Sequence, residues 1–443
     1  MKTVTKRRLC LRVALGAGLA ILTGAVGGST ASAQAGGAGG AAGAAGAGTA
    51  GAGGAGGAAT TTPSCSNATM FPNPIVITGS SAFEPTASYF AAKAAALTPA
   101  VTIIYNPTGS CAGVGAVKEH QMLTGTGDLY LSTDTAGKPK KTTCTIDTPL
   151  FADIAVSDVF FESCDLGAKP ATIGDIQGPV QAMLPIVAST NTAVTAICAE
   201  QAAAIWGCGA AGKVGMFIDD TSATAIQQRN KDSGTQILMA KNINVPANMF
   251  KGHGNSSGGN MLTSMTMGAA SQPMQVIGFI AADAYKGALS AAMPAPIKSL
   301  AFRGIGQTKA YYADSTATAQ DRRNVRDGHY VIAGPEHMIV SLAAGSPSAN
   351  AQKFIDWING DAMVDASPNT WIDLEAAAGT IPQCAMSVTH TSDGGPMAPY
   401  TPCKPCGCYY EAKATGTPPA SCTVCTTSAQ CSAGKSCSYG FCE

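Results

Sequence analysis

From residue 74 onward, short apolar runs alternate with alanine-rich stretches of helical period, separated by turns of glycine, serine and threonine. Pro74 to Thr78 reads as a buried strand, Pro85 to Leu97 as a helix with proline in its first turn, where proline is tolerated, and Val101 to Tyr105 as the next strand. A helix from Cys111 to Met122 follows. Asp153 to Asp158 is a second-generation strand of the same kind, apolar inside and closed by a carboxylate. Gly178 to Ala188 predicts a strand, Thr192 to Trp206 a helix, Gln236 to Asn242 a helix, and Val276 to Tyr285 a strand passing into a helix. Tyr330 to Ile332 and Met338 to Leu342 read as strands and Ala351 to Asn359 as a late amphipathic helix. Gly125 to Leu150 interrupts the alternation and reads as a surface excursion, its Lys138-Pro139-Lys140-Lys141 cluster solvated.

Strand and helix in alternation imply an α/β fold whose ligands gather at the carboxyl ends of the strands. Three of the strand-to-helix turns share a grammar. Gly79-Ser80-Ser81-Ala82-Phe83, Asn106-Pro107-Thr108-Gly109-Ser110 and Arg229-Asn230-Lys231-Asp232-Ser233-Gly234-Thr235 each bring hydroxyls and glycine to a helix start. The first N–H groups of a helix have no partner inside it, and the helix end carries roughly half a positive charge. Arg229 adds a bidentate cation, so the third turn is a receptor for a tetrahedral oxyanion. A serine at a helix start is also an ordinary cap; three such turns in series are what favour the anion.

The ends differ in composition from the middle. Lys2, Lys6, Arg7, Arg8 and Arg12 precede an apolar run to Gly28, and Ala31-Ser32-Ala33 supplies a cleavage pattern, so residues 1–33 read as a signal peptide. The paired Arg7-Arg8 is compatible with Tat as well as Sec export. Residues 34–62 are nearly all Ala, Gly and Thr and read as a flexible, disordered tether. Cleavage would remove five of the 27 basic residues and none of the 27 acidic ones, leaving a net charge of about −5 and no basic footprint for nucleic acid. Of 16 cysteines, all but Cys10 lie beyond the leader, which fits an exported, disulfide-forming protein in the periplasm or at the cell surface. The odd number left predicts one unpaired thiol.

Nine cysteines crowd residues 384–443 and predict a small disulfide-rich module. Cys403, Cys406, Cys422 and Cys425 do have zinc-ribbon spacing, but the interleaved extra cysteines favour disulfides, and no metal is expected. Gly254-Asn255-Ser256-Ser257-Gly258 has the spacing of a hydrolase nucleophile elbow. With no strong strand before it, the stretch reads as a flexible loop. His253, His329 and His337 lack ligand spacing, and Trp206, Trp357 and Trp371 read as core.

The order of Thr78 to Pro85, Tyr105 with Gly109-Ser110, Asp153 to Asp158, Arg229 to Thr235 and Ile277-Gly278-Phe279 resembles the substrate-binding proteins of phosphate ABC transporters, over residues 74 to 375. The resemblance implies a type II periplasmic binding protein fold, two lobes joined by a hinge that the chain crosses twice. Lobe 1 would comprise residues 70–185 and 329–383, and lobe 2 residues 186–328. It assigns the anion to Ser80, Ser81, Ala82, Phe83, Ser110, Arg229, Ser233, Gly234 and Thr235, with a carboxylate accepting the proton of hydrogen phosphate. Asp158 keeps the family spacing from its strand; Asp134 competes for that role. Ala82 stands where the family usually has a threonine, and Lys231 where it has an acidic residue, which leaves arsenate, phosphite or a phosphate ester open. The implied protein is a monomer without enzymatic activity or cofactor that passes phosphate to ABC transporter membrane subunits. An envelope protein of structural or adhesive role on the same fold is the alternative, and a phosphoester hydrolase a weaker one.

Overall fold

The computed structural model describes residues 62–215, 217, 225–360 and 370–443. The expected signal peptide, and all of the expected tether except residue 62, lie outside the described residues. In chain order, β1 (Ile75–Gly79) leads into α1 (Glu84–Ala95) and β2 (Ile103–Asn106) into α2 (Ser110–Lys118). A hairpin of β3 (Gly125–Thr133) and β4 (Pro139–Ile146) follows, then β5 (Ile154–Ser157) and the long β6 (Ile173–Ala188). Next come β7 (Ala196–Cys198), α3 (Ala199–Cys208), β8 (Gln227–Arg229), α4 (Gly234–Ile243), β9 (His253–Asn255) and α5 (Gly258–Ser271). They are followed by β10 (Ile277–Ala281), α6 (Ala282–Leu289), β11 (Ile297–Ser299) and β12 (Ala301–Arg303). The chain returns through α7 (Arg323–Arg326), β13 (Ala333–Ser341), α8 (Ala349–Ile358) and α9 (Thr370–Ala378), and ends with the β14 (Val388–His390) and β15 (Met397–Pro399) hairpin and α10 (Gly407–Thr415).

The fold is mixed α/β and two-lobed, and one strand belongs to both lobes. The early part of β6, from Ile173 to Ala182, pairs antiparallel with β13, which in turn pairs with β5. From Met183 to Ala188 the same strand pairs with β10 and β11 instead. The sheet order is therefore β10-β6-β13-β5-β1-β2-β3-β4, with β11 also on β6. The return crossing is bonded to the first: Met183 N donates to Ile332 O at 2.9 Å, and the Tyr330 hydroxyl to Met183 O at 2.6 Å. Burial of β1, β5 and β10 on both faces explains their uninterrupted apolar sequences. Trp206, Trp357 and Trp371 lie in the core, with the indole of Trp206 edge-on to Phe279 at 5.3 Å.

Four sequence expectations are corrected. Residues 125–146 are no surface excursion but two strands extending the sheet beyond β2. Alternation decides it: Tyr130 joins the main core, while its neighbour Leu129 packs on the other face with Cys65, Phe71, Ile104 and Cys144. Lys141 is not simply solvated either; it pairs with Glu84 and Asp128, each at 2.7 Å. Thr192 to Cys198 is not helical, because β7 pairs parallel with β12 before α3 begins. Tyr330 to Ile332 is not a strand: Tyr330 is buried edge-on to Phe302, and the strand begins at Ala333.

Six disulfides form among the described residues: Cys65–Cys144, Cys111–Cys164, Cys384–Cys406, Cys408–Cys422, Cys425–Cys437 and Cys431–Cys442. Cys198, Cys208 and Cys403 stand outside them, three residues where one was expected. Cys406, Cys422 and Cys425 are committed to disulfides, so the zinc-ribbon spacing is not used. The Cys384–Cys406 bridge closes the start of the cysteine-rich segment, and Glu411 ties the segment to α7 by pairing with Arg323 and, at 2.8 Å, with Arg326. Between β14 and β15, Asp393 accepts the backbone N–H of Phe160 at 2.9 Å, and Gly394 backs onto Lys241 of α4. A side chain at Gly394 would come within 2.7 Å of Lys241 Cβ.

Candidate functional site

Arg229 ends β8, whose parallel pairing with β9 sets it beside Asn255. Its Nε donates to Asn255 O at 3.1 Å, and its Nη2 to Ser81 Oγ at 3.2 Å and Ser256 O at 3.3 Å. The side chain is 4% exposed, yet among the described residues it forms no ion pair. Arg322 shows the usual arrangement for a buried guanidinium: it grips both oxygens of Asp314, at 2.9 and 2.7 Å. Burial draws the pKa of Arg229 down to about 10, with the charge of Asp158 acting in the opposite direction. Arg229 is thus a desolvated cation held by carbonyls and a hydroxyl, none of which neutralises it.

Helix starts surround it. Ser81, in the turn before α1, accepts from Arg229 and from Gly258 N at 3.4 Å, the first residue of α5. Ser110 opens α2, and its hydroxyl accepts from Gly234 N at 3.2 Å and Asp158 N at 3.3 Å. Ser233 is the N-cap of α4, but its side chain makes no capping bond, so ordinary capping does not account for it. Gly234 has no room for a side chain, since a Cβ there would fall 2.4 Å from Ser110 Oγ and 2.8 Å from Asp158. Ser80, Ala82, Phe83, Ser110, Ser233 and Thr235 are all buried.

Asp158, rather than Asp134, lies among these groups. It accepts from Ser80 Oγ and, at 3.1 Å, from Thr235 Oγ1. Burial raises its pKa, opposed by Ser80, by Arg229 and by Thr235. Asp134 sits at the tip of the β3–β4 hairpin, where its carboxylate accepts the N–H groups of Ala136 at 2.8 Å and Lys138 at 2.9 Å. The turn occupies it.

Contacts join Ser80, Ser81, Ser110, Asp158, Arg229, Gly234 and Thr235, with Ala82, Phe83 and Ser233 next to them in the chain, and they add a segment that sequence reasoning set aside. Residues 253–258 are not a flexible loop: His253–Asn255 is a strand, and Ser257 caps α5 by accepting Asn260 N at 3.1 Å. This makes a fourth helix start, and its Ser257-Gly258 pair matches Ser233-Gly234 at the start of α4. The central serine of the elbow spacing is Ser256, whose hydroxyl accepts from the side-chain amide of Asn260 at 2.7 Å. His337 faces Asp175 at 2.7 Å and His329 faces Asp327 at 2.7 Å. Among the described residues, the one set of close ligand-type atoms, Cys425, Cys431 and Cys442, consists of disulfide sulfurs. No described helix is long and apolar enough to cross a membrane.

No protein-family model matches the chain, and no curated protein does. Solved structures do. A phosphate-binding protein from Stenotrophomonas maltophilia is 15% identical, with a TM-score of 0.42, over 70% of this chain and 90% of that one. An ABC-type phosphate transport receptor from Vibrio cholerae is 16% identical, with a TM-score of 0.41, over 69% and 99%. The reduced regulatory domain of OxyR from Pseudomonas aeruginosa is 10% identical, with a TM-score of 0.35, over 64% and 96%.

Proposed function

We propose that this chain is an exported solute-binding protein that closes its two lobes over phosphate, or a related tetrahedral oxyanion, and delivers it to the membrane subunits of an ABC transporter. In this reading residues 70–185 and 329–383 form one lobe and residues 186–328 the other, the chain acts as a monomer, and it catalyses no reaction. The observation that carries it is Arg229: a buried guanidinium without a carboxylate partner, ringed by hydroxyls and helix N-termini. Burying an unpaired charge is costly, and an anion in the cleft removes that cost. Backbone N–H groups at the starts of α1, α2, α4 and α5 would donate to its oxygens, as would the hydroxyls of Ser81, Ser110 and Ser233, while Thr235 gives its proton to Asp158. Asp158 can only accept, so it favours an oxyanion that keeps a hydrogen over one that is fully ionised.

The test is isothermal titration calorimetry with phosphate, arsenate and sulfate. Phosphate is expected to bind and sulfate to bind far more weakly. Arg229→Ala should weaken phosphate binding about 100-fold or more, since charge-assisted hydrogen bonds contribute roughly 1.5 to 3 kcal/mol each. Unchanged affinity in that variant, or no oxyanion binding by the wild type, overturns the reading.

A further inference from the structure

Beneath Asp158 lies a second carboxyl that the anion contacts do not use. In the antiparallel pairing of β13 with β5, His337 stands opposite Ser157, so Glu336 falls across from Asp158, one step past the last pair. Side chains at such positions are about 4.5 to 5.5 Å apart at Cβ. The register of β13 against β6 shifts between Pro335 and His337, an irregularity centred on Glu336 that re-aims its side chain. Glu336 is fully buried; its carboxyl oxygens make no well-formed hydrogen bond among the described residues, and the side chain that comes within reach of them is Asp158.

The groups facing it come from every side. Asp158 follows β5, Asp283 lies in the first turn of α6 and Tyr105 projects from β2. The cations of the region lie beyond them: Arg229 next to Asp158, and Arg322 committed to Asp314. Adjacent carboxyls in a dry interior cannot all ionise. Burial, and then the charges of Asp158 and Asp283, push the Glu336 pKa well up, while Asp158 has two hydroxyl donors and Arg229 to favour its charge.

We infer that Glu336 is a positioning residue for the anion site: as a carboxylic acid it gives its hydrogen to Asp158, fixing Asp158 as a charged acceptor turned toward the bound oxyanion. The inference rests on the oxyanion reading for its ligand and on the β5–β13 register for its geometry. It excludes a Glu336 that merely fills space, because an isosteric hydrogen donor should replace it and an apolar side chain should not.

The experiment compares the full chain with Glu336→Gln and Glu336→Leu. With inorganic phosphate at pH 7, E336L should bind about tenfold more weakly, the loss of one hydrogen bond to a charged group, and E336Q should recover to within about threefold of wild type. Ligand-free thermal unfolding between pH 5 and 9 supplies the second readout. A carboxyl protonated when folded and ionised when unfolded above about pH 4.3 lowers stability as pH rises toward its folded pKa. Wild type should therefore lose stability relative to E336Q across that range. Parallel pH profiles for wild type and E336Q, or equal phosphate affinity in E336L and E336Q, overturn the inference. Should wild type bind no phosphate, the oxyanion reading fails, and the unfolding profiles still decide whether Glu336 holds the proton.

Discussion

The backbone nitrogen of Gly234 lies 3.2 Å from the hydroxyl of Ser110, although 124 residues separate them. A Cβ on Gly234 would come within 2.4 Å of that oxygen. Gly234→Ala should therefore hold α2 and α4 apart, costing about 1 to 3 kcal/mol of stability through overpacking. It should also abolish phosphate binding in calorimetry. A variant that binds normally would mean the two helix starts need not meet.

The two buried guanidiniums should respond oppositely to removal. Arg322→Met strands Asp314, which is 7% exposed, and should cost about 3 to 5 kcal/mol in urea unfolding. Arg229→Met breaks no contact ion pair, although it withdraws a nearby charge from Asp158, and should cost clearly less ligand-free stability than Arg322→Met while eliminating oxyanion binding. Equal losses in both variants would show that Arg229 has a structural counter-charge.

Asp283 gives a pH prediction. Burial raises its pKa to about 8, against about 3.9 in an unfolded chain. The native state then holds a proton that the unfolded state has released, so stability falls as pH rises from about 4 to about 8. The fall is at most about 1.4 kcal/mol per pH unit from this group. Asp283→Asn should flatten the corresponding part of the stability profile measured by denaturant titration; an unaltered slope would place the proton elsewhere.

The Cys65–Cys144 bridge spans 79 residues and ties the first described residues to β4. Replacing both with serine should lower stability by about 2 to 5 kcal/mol, the usual effect of losing a native disulfide. Circular dichroism and urea titration would check it, and a loss below about 1 kcal/mol would mean that the small cluster of Phe71, Ile104 and Leu129 suffices.

What could be read from the sequence was what is encoded locally. Ser80 to Phe83, Ser110 and Arg229 to Thr235 each sit where an apolar run gives way to helical period, so residue order alone marks them as helix starts. The family spacing that the resemblance implies favours Asp158 over Asp134, and the structure sets Asp158 against Ser80 and Thr235. Ser256 to Gly258 escaped because β9 has three residues and owes its strand form to pairing with β8, which no local signal announces. Glu336 was invisible for a stronger reason. Its neighbour is fixed by strand register across 178 residues, and a lone acid in an apolar run carries no mark of what it faces.

The turn at Asp393 and Gly394 acts like a clasp. It grips Phe160 beside β5 on one side and leans on Lys241 of α4 on the other. If the proposed lobe movement admits an oxyanion past Ser110 and Gly234, the contacts of this turn with Phe160 and Lys241 would resist it from the rear of the molecule.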